Sequence, residues 1–135
     1  MPWQEIEHTA DWALRVWAPT PQALFVEAAR GMYALLAPGP IPTEVTLHLK
    51  PLVLMAVDAE ALLVAWLQEQ LYFTESENLL FVDFALANWA PMHLRGEAWG
   101  YTALQRNKVI KAVTYHNLQI HPTMNGVETT LVFDV

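Results

Sequence analysis

The sequence predicts an α+β fold: a two-layer sandwich in which a mostly antiparallel sheet of about six strands packs with two amphipathic helices. Two observations point there first. Residues 21–36 and 59–74 carry apolar side chains at helical spacing, and runs with period-two alternation outnumber them. A third is the order of those runs. The strands of the C-terminal half follow one another with no helix between them, which a doubly wound parallel sheet would require.

Each element has a local reason. Residues 3–8 read as a short strand. From Trp12 to Trp17 the chain alternates Trp12, Leu14, Val16 against Ala13, Arg15, Trp17, and Pro19 ends that strand. Thr20-Pro21 then starts a helix, with threonine as N-cap and proline at the first helical position. Leu24, Ala28, Met32 and Leu35 share one face of it, with Phe25 and Leu36 alongside, and Gly31 marks close packing. APGPIP at 37–42 stops it. Residues 43–57 are extended, with Pro51 pointing to an edge, a bulge or a break. Asp58 is the N-cap of a second helix that runs to about Thr74, with Leu62, Trp66, Gln70 on one stripe and Leu63, Leu67, Leu71 on the next. ESEN at 75–78 reads as a turn, and 79–86 and 92–99 as strands. Residues 100–108 read as a loop and 109–121 as an alternating strand. Asn125-Gly126 is a tight-turn signal, after which VETTLVFDV closes a terminal hairpin.

Composition narrows the function classes. A chain of 135 residues, 54% apolar with six tryptophans, suits one domain over 1–135 with its own core, and disorder is excluded. The apolar run PLVLMAV at 51–57 is far short of the roughly 20 residues a membrane span needs. MPWQEIEH lacks the basic start and apolar run of a signal peptide, so a cytoplasmic location is expected. The absence of cysteine rules out a disulfide framework and thiolate metal sites. A net charge of −7 opposes approach to phosphate backbones, so direct nucleic-acid binding is not expected. A basic protein or a cation is the natural partner, unless the charge serves only solubility.

Catalytic signatures are missing: the sequence has no G-x-S-x-G, no phosphate-binding glycine loop and no H-E-x-x-H. Polar residues do gather in three places, His8-Thr9-Ala10-Asp11, the stretch Lys111 to Asn117, and Phe133-Asp134-Val135. Asp134 ends an apolar β run, and a terminal carboxylate on Val135 would adjoin it. Two such groups repel unless a proton or cation intervenes. With Asp11 added, the donors are hard oxygens that suit Ca²⁺ or Mg²⁺ better than Zn²⁺. A plain structural reading stands beside this one. Acids at strand ends are commonly solvated, and Asp11 could form a turn. Lys111 and His116 could lie exposed on a strand whose other side holds Ile110, Ala112 and Leu118. Trp66 and Tyr72 read as core and rim residues.

The three motifs together resemble one family, the archeases. The likeness covers essentially the whole chain: EHTAD at 7–11, PQALFVEAARGMYALL at 21–36, the D-x-E-x-L-L-x-x-W-L pattern from Asp58 to Leu67, Gly96-Glu97, KAVTYHNLQI at 111–120 and the terminal VFDV. It implies an α+β sandwich and a non-catalytic role. Archeases are small cytosolic proteins that help the RtcB-type RNA ligase of tRNA splicing and RNA repair to guanylylate itself and turn over repeatedly. The resemblance also implies a divalent ion, Ca²⁺ in family structures with Mg²⁺ or Mn²⁺ as alternatives. It would be held by Asp11 and Asp134 with an oxygen from Val135. His8, Lys111, Thr114 and His116 would support the site or touch the partner. The sequence departs from the family pattern at Gly100, Leu104 and Val109, which puts roles carried by those side chains in doubt. Two rival readings are a small metal-dependent hydrolase, with His8 or His116 as base, and a chaperone-like module, which would need an exposed apolar patch.

Overall fold

Thr20 accepts a hydrogen bond from the Ala23 amide at 3.1 Å, with Pro21 at the first helical position. This cap, which contributes about 1 kcal/mol, starts helix α1, Pro21–Leu36. The computed structural model to which it belongs describes residues 2–6, 12–103 and 109–135. Strands β1 (Trp3–Ile6) and β2 (Trp12–Ala18) precede α1. They are followed by β3 (His48–Met55), α2 (Ala59–Glu77), β4 (Leu79–Ala90) and β5 (His93–Thr102). The chain closes with β6 (Ala112–Val113), β7 (His121–Thr123) and β8 (Gly126–Asp134).

The α+β reading holds, with all described pairings antiparallel, and the strands divide into two sheets. One runs β1-β2-β8-β6, with β7 also paired to β8; the other runs β3-β5-β4. The two helices contact both sheets: α1 packs on β2 and β4, and α2 on β3, β4 and β6. Alternation along a strand says which side chains share a face but not which strand lies beside it, so the division was not visible in the pattern.

The helices are joined by polar as well as apolar contacts. Trp66 is fully buried, and its indole N–H donates to the Phe25 carbonyl at 2.9 Å. The Tyr33 hydroxyl meets Thr74 Oγ1 at 2.7 Å, both groups being buried. Leu24, Phe25, Ala28, Met32 and Leu36 of α1 are buried, as are both predicted stripes of α2. Tyr72 is exposed, as a rim residue should be. Gly31 lies where a Cβ would come within 2.6 Å of Leu14 Cδ2 and 3.0 Å of the Trp3 ring, so its small size lets α1 sit close on β1 and β2.

Several boundaries move. Residues 75–77 continue α2, and Asn78 ends it in the left-handed conformation. Gly100 to Thr102 belong to β5. In the 43–57 stretch only His48–Met55 is a strand; it is an edge, where Pro51 is tolerated. The expected strand at 109–121 shrinks to Ala112–Val113 and His121. Asn117 takes a φ of 60° and reverses the chain, and side chains of α2 replace the ladder there. Gln68 Oε1 accepts from Val113 N at 2.5 Å and Glu60 Oε2 from Ile120 N at 3.0 Å.

Candidate functional site at the paired chain ends

Antiparallel pairing of β2 with β8 sets Trp12 opposite Phe133 and Leu14 opposite Leu131, so strands from opposite ends of the sequence lie side by side. Phe133 is fully buried. The period of two then turns Asp134 outward, and both Asp134 and Val135 are exposed. On the other side of β8, Ala112 pairs with Asp134 and Val113 with Phe133. The Lys111 amide donates to the Asp134 carbonyl at 2.7 Å, and the Thr114 amide to the Val132 carbonyl at 2.8 Å. Ile110, Val113 and Leu118 are buried and anchor the segment, while Lys111 and His116 project to solvent.

The structure therefore brings Lys111, Asp134 and Val135 together at one end of the sheet. Thr114 is half-buried and lies further along β8, beside Val132. His116 stands beyond it in the turn, and no hydrogen bond or ion pair joins it to Asp134 among the described residues. Asp11 and His8 lie outside the described residues. Of Gly100, Leu104 and Val109, Leu104 also lies outside them and Val109 is exposed. Gly100 is buried in β5, where a Cβ would come within 2.8 Å of the Leu80 carbonyl and 2.9 Å of the Phe81 ring. A functional side chain at position 100 has no room.

Tyr115 has a defined place that its motif alone did not reveal. Its hydroxyl donates to the Asp58 carboxylate, 3.1 Å from Oδ2, while Oδ1 of the same carboxylate caps α2 by accepting from Ala61 N at 2.7 Å. That bond, reinforced by desolvation and the charges of Asp58 and Glu60, raises the phenol pKa above its ordinary value. The available signal was Asp58 itself, legible as a cap but not as a partner for a residue 57 positions away. On the solvent face of the same sheet, Arg15 forms a two-pronged ion pair with Glu128 at 2.9 and 3.0 Å and lies over the Trp17 ring. The paired guanidinium holds the Glu128 carboxyl below the usual carboxylate range.

Oxygen atoms are the only donors that Asp134 and Val135 offer, which fits a hard divalent cation. They are too few alone. Among the described residues no group of three or more acidic or histidine side chains could hold a metal, so any such site needs a further ligand.

A helix-bridged pair of antiparallel sheets, with the C-terminal acid exposed at a sheet end, defines a small α+β domain of a known kind. The sequence profile of the Archease protein family (MTH1598/TM1083) matches residues 3–135. A protein archease from Methanopyrus kandleri is 36% identical over 132 aligned positions, covering 89% of each chain. One from Saccharolobus islandicus is 34% identical over 139, covering 96% of this chain and 95% of its own. The solution structure of Methanobacterium thermoautotrophicum protein 1598 superposes with a TM-score of 0.78 at 22% identity, over 99% of both chains. The crystal structure of a Thermotoga maritima archease, described as a possible chaperone, superposes with a TM-score of 0.67 at 20% identity over 98% of this chain and 96% of that one. This chain belongs to the archease family.

Proposed function

We propose that this protein is a non-catalytic activator of an RtcB-type RNA ligase, promoting the ligase's guanylylation and repeated turnover in tRNA splicing or RNA repair. The observation that carries the reading is the exposed Asp134 at the end of β8, held beside Lys111 by the main-chain bond between them. The ladder from β2 runs to Trp12 and Phe133, each next in sequence to an aspartate of the expected cation site, Asp11 and Asp134. Asp11, Asp134 and an oxygen of Val135 would hold a divalent ion, Ca²⁺ or else Mg²⁺ or Mn²⁺. The ion would supply positive charge at the contact with the ligase. The chain's own part is to present these oxygens on a rigid sheet end, with Lys111, Thr114 and His116 as the neighbouring contact surface.

Family membership supports this reading, and so does charge. An acidic chain of net −7 complements a basic, RNA-binding ligase. A cytoplasmic location follows from the role, and no helix among the described residues is long and apolar enough to cross a membrane. The test is a guanylylation assay of the cognate ligase with GTP and metal and a catalytic amount of this chain. Added chain should raise the number of turnovers, and unchanged turnover would refute the role. A parallel screen of phosphoesters with Mn²⁺ or Mg²⁺ and no ligase should find no hydrolysis.

One observation favours a second, chaperone-like reading. Leu47, Leu49, Val53, Met55, Val57 and Met92 are exposed around β3 and its junction with the β4–β5 hairpin. Contiguous apolar surface of this kind marks interaction sites. Suppression of aggregation of several unrelated clients would support that role.

A further inference from the structure

The free edge of the β3-β5-β4 sheet combines two features that the ligase reading leaves unused. The first is a row of side chains. Leu47, Leu49, Val53, Met55 and Val57 occupy alternate positions and are all exposed, Met55 to 79% and Val57 to 80%, and exposed Pro51 completes the row. The second is the backbone beneath it. Ala56 N donates to the Met92 carbonyl at 3.0 Å, in step with the pairs Leu54↔Leu94 and Leu52↔Gly96. In an antiparallel ladder the N–H and C=O of one residue point to the same side, and successive residues alternate. The even-numbered residues therefore spend their groups on β5, and those of Leu49, Val53 and Met55 point away from the sheet. Pro51 falls in the outward set, where β5 needs no N–H.

We propose that β3 accepts an extended segment of a partner protein as a fourth strand, along Val53 to Val57. The segment is apolar at alternate positions and carries a carboxylate. The backbone argues for the strand. A partner that docks along the edge strips water from the outward N–H and C=O groups, and an extended chain pairs them again while laying its alternate side chains beside the apolar row. Lys50, the kind of residue that guards such edges, is turned to the inner side, where it pairs with Glu77 at 2.8 Å and lies over Phe73.

A second copy of this chain fits less well. Antiparallel pairing of two β3 strands about Val53 would set each Pro51 against the other's Met55, leaving two carbonyls without donors. Two chains of net −7 also repel. Local charge argues for the carboxylate. No acid stands between 45 and 57, and Arg95 and His93 on β5 lie opposite Val53 and Met55. Both are exposed and make no ion pair among the described residues. Glu97 shares that face but sits opposite Pro51, outside the proposed stretch. For its biological setting the inference rests on the chaperone-like reading.

The test uses the full chain and a fluorescein-labelled nine-residue peptide of alternating valine and threonine with one central aspartate. Anisotropy should report binding, and amide exchange should show new protection at Val53 and Met55. Val53→Pro removes an outward donor and no bond to β5, so it should weaken binding at least roughly tenfold. Arg95→Glu should weaken the aspartate peptide and favour the same peptide with lysine, which keeps the idea testable if Val53→Pro unfolds. Absence of binding, protection at other strands, or indifference to the Arg95 charge swap would overturn the proposal. So would concentration-dependent protection of β3 without peptide, which would assign the edge to a second copy. A chain that binds the peptide yet leaves unrelated clients aggregating would remove the chaperone-like reading and leave the strand site standing.

Discussion

The amide of Lys111 donates to the carbonyl of Asp134 at 2.7 Å, which ties the start of the 111–120 motif to the last strand. The bond is main chain to main chain, so it does not depend on the lysine side chain. Lys111→Ala should leave stability within about 0.5 kcal/mol. Lys111→Pro removes the donor and should cost about 1–3 kcal/mol. Thermal unfolding of the two variants separates these outcomes, and any effect of Lys111→Ala on a partner then belongs to the ammonium.

Gln68 holds the same segment from the helix side by accepting from Val113 N. Gln68→Ala leaves that amide without its acceptor beside the core, at a cost of about 1–3 kcal/mol. Hydrogen exchange should report it locally, as faster exchange at Val113 than at Leu131, which stays within the β2–β8 ladder.

Asp58 serves two partners at once, the first turn of α2 and the Tyr115 hydroxyl. Asp58→Ala should cost about 0.5–2 kcal/mol as a lost cap. Asp58→Asn keeps a capping oxygen but loses the charge, so the Tyr115 pKa should fall back toward its ordinary value. The sign follows from the raised phenol pKa. This stabilisation is complete below the unfolded phenol's pKa and is lost as pH rises through the higher folded one. An ultraviolet titration of tyrosine ionisation, wild type against Asp58→Asn, measures it.

The Arg15–Glu128 pair titrates the other way. Its hydrogen bonds hold the Glu128 carboxyl low, against a smaller opposing effect of desolvation. The contribution is complete above the unfolded carboxylate pKa and fades as pH falls through the lower folded value. In Arg15→Ala the Glu128 midpoint should move upward, which carboxyl-carbon chemical shifts would follow. Both side chains are solvent-accessible, so the change in overall stability should be small.

Much of this architecture was legible because its causes are local. Thr20-Pro21 and Asp58 carry their capping chemistry in their side chains, and the helical spacing of Leu24, Ala28 and Met32 states which face is buried. The segment 109–121 misled because its alternation is real while only Ala112–Val113 and His121 find a strand partner, β8. Its buried residues, Ile110, Val113 and Leu118, are spaced by three and five. Its amides at Val113 and Ile120 reach Gln68 and Glu60, contacts set by tertiary packing. The two-sheet division has the same origin. At the candidate site, Asp134 was readable as a carboxylate out of place on a β run, and its neighbour Lys111 was readable only as part of a motif. Gly100 shows the reverse case: the sequence reads there as the start of a loop, whereas it lies within β5 and packing against Leu80 and Phe81 leaves no space for a side chain.

The central claim is that the acid at the end of β8 acts on the partner ligase. The most direct measurement is guanylylation of the cognate ligase, under multiple turnover, with wild-type chain and with Asp134→Ala. Asp134 is exposed, so the variant should unfold at nearly the wild-type temperature. The account predicts that its stimulation is abolished at every concentration of Ca²⁺, Mg²⁺ or Mn²⁺ tested. A folded Asp134→Ala chain that stimulates the ligase as well as wild type would contradict it.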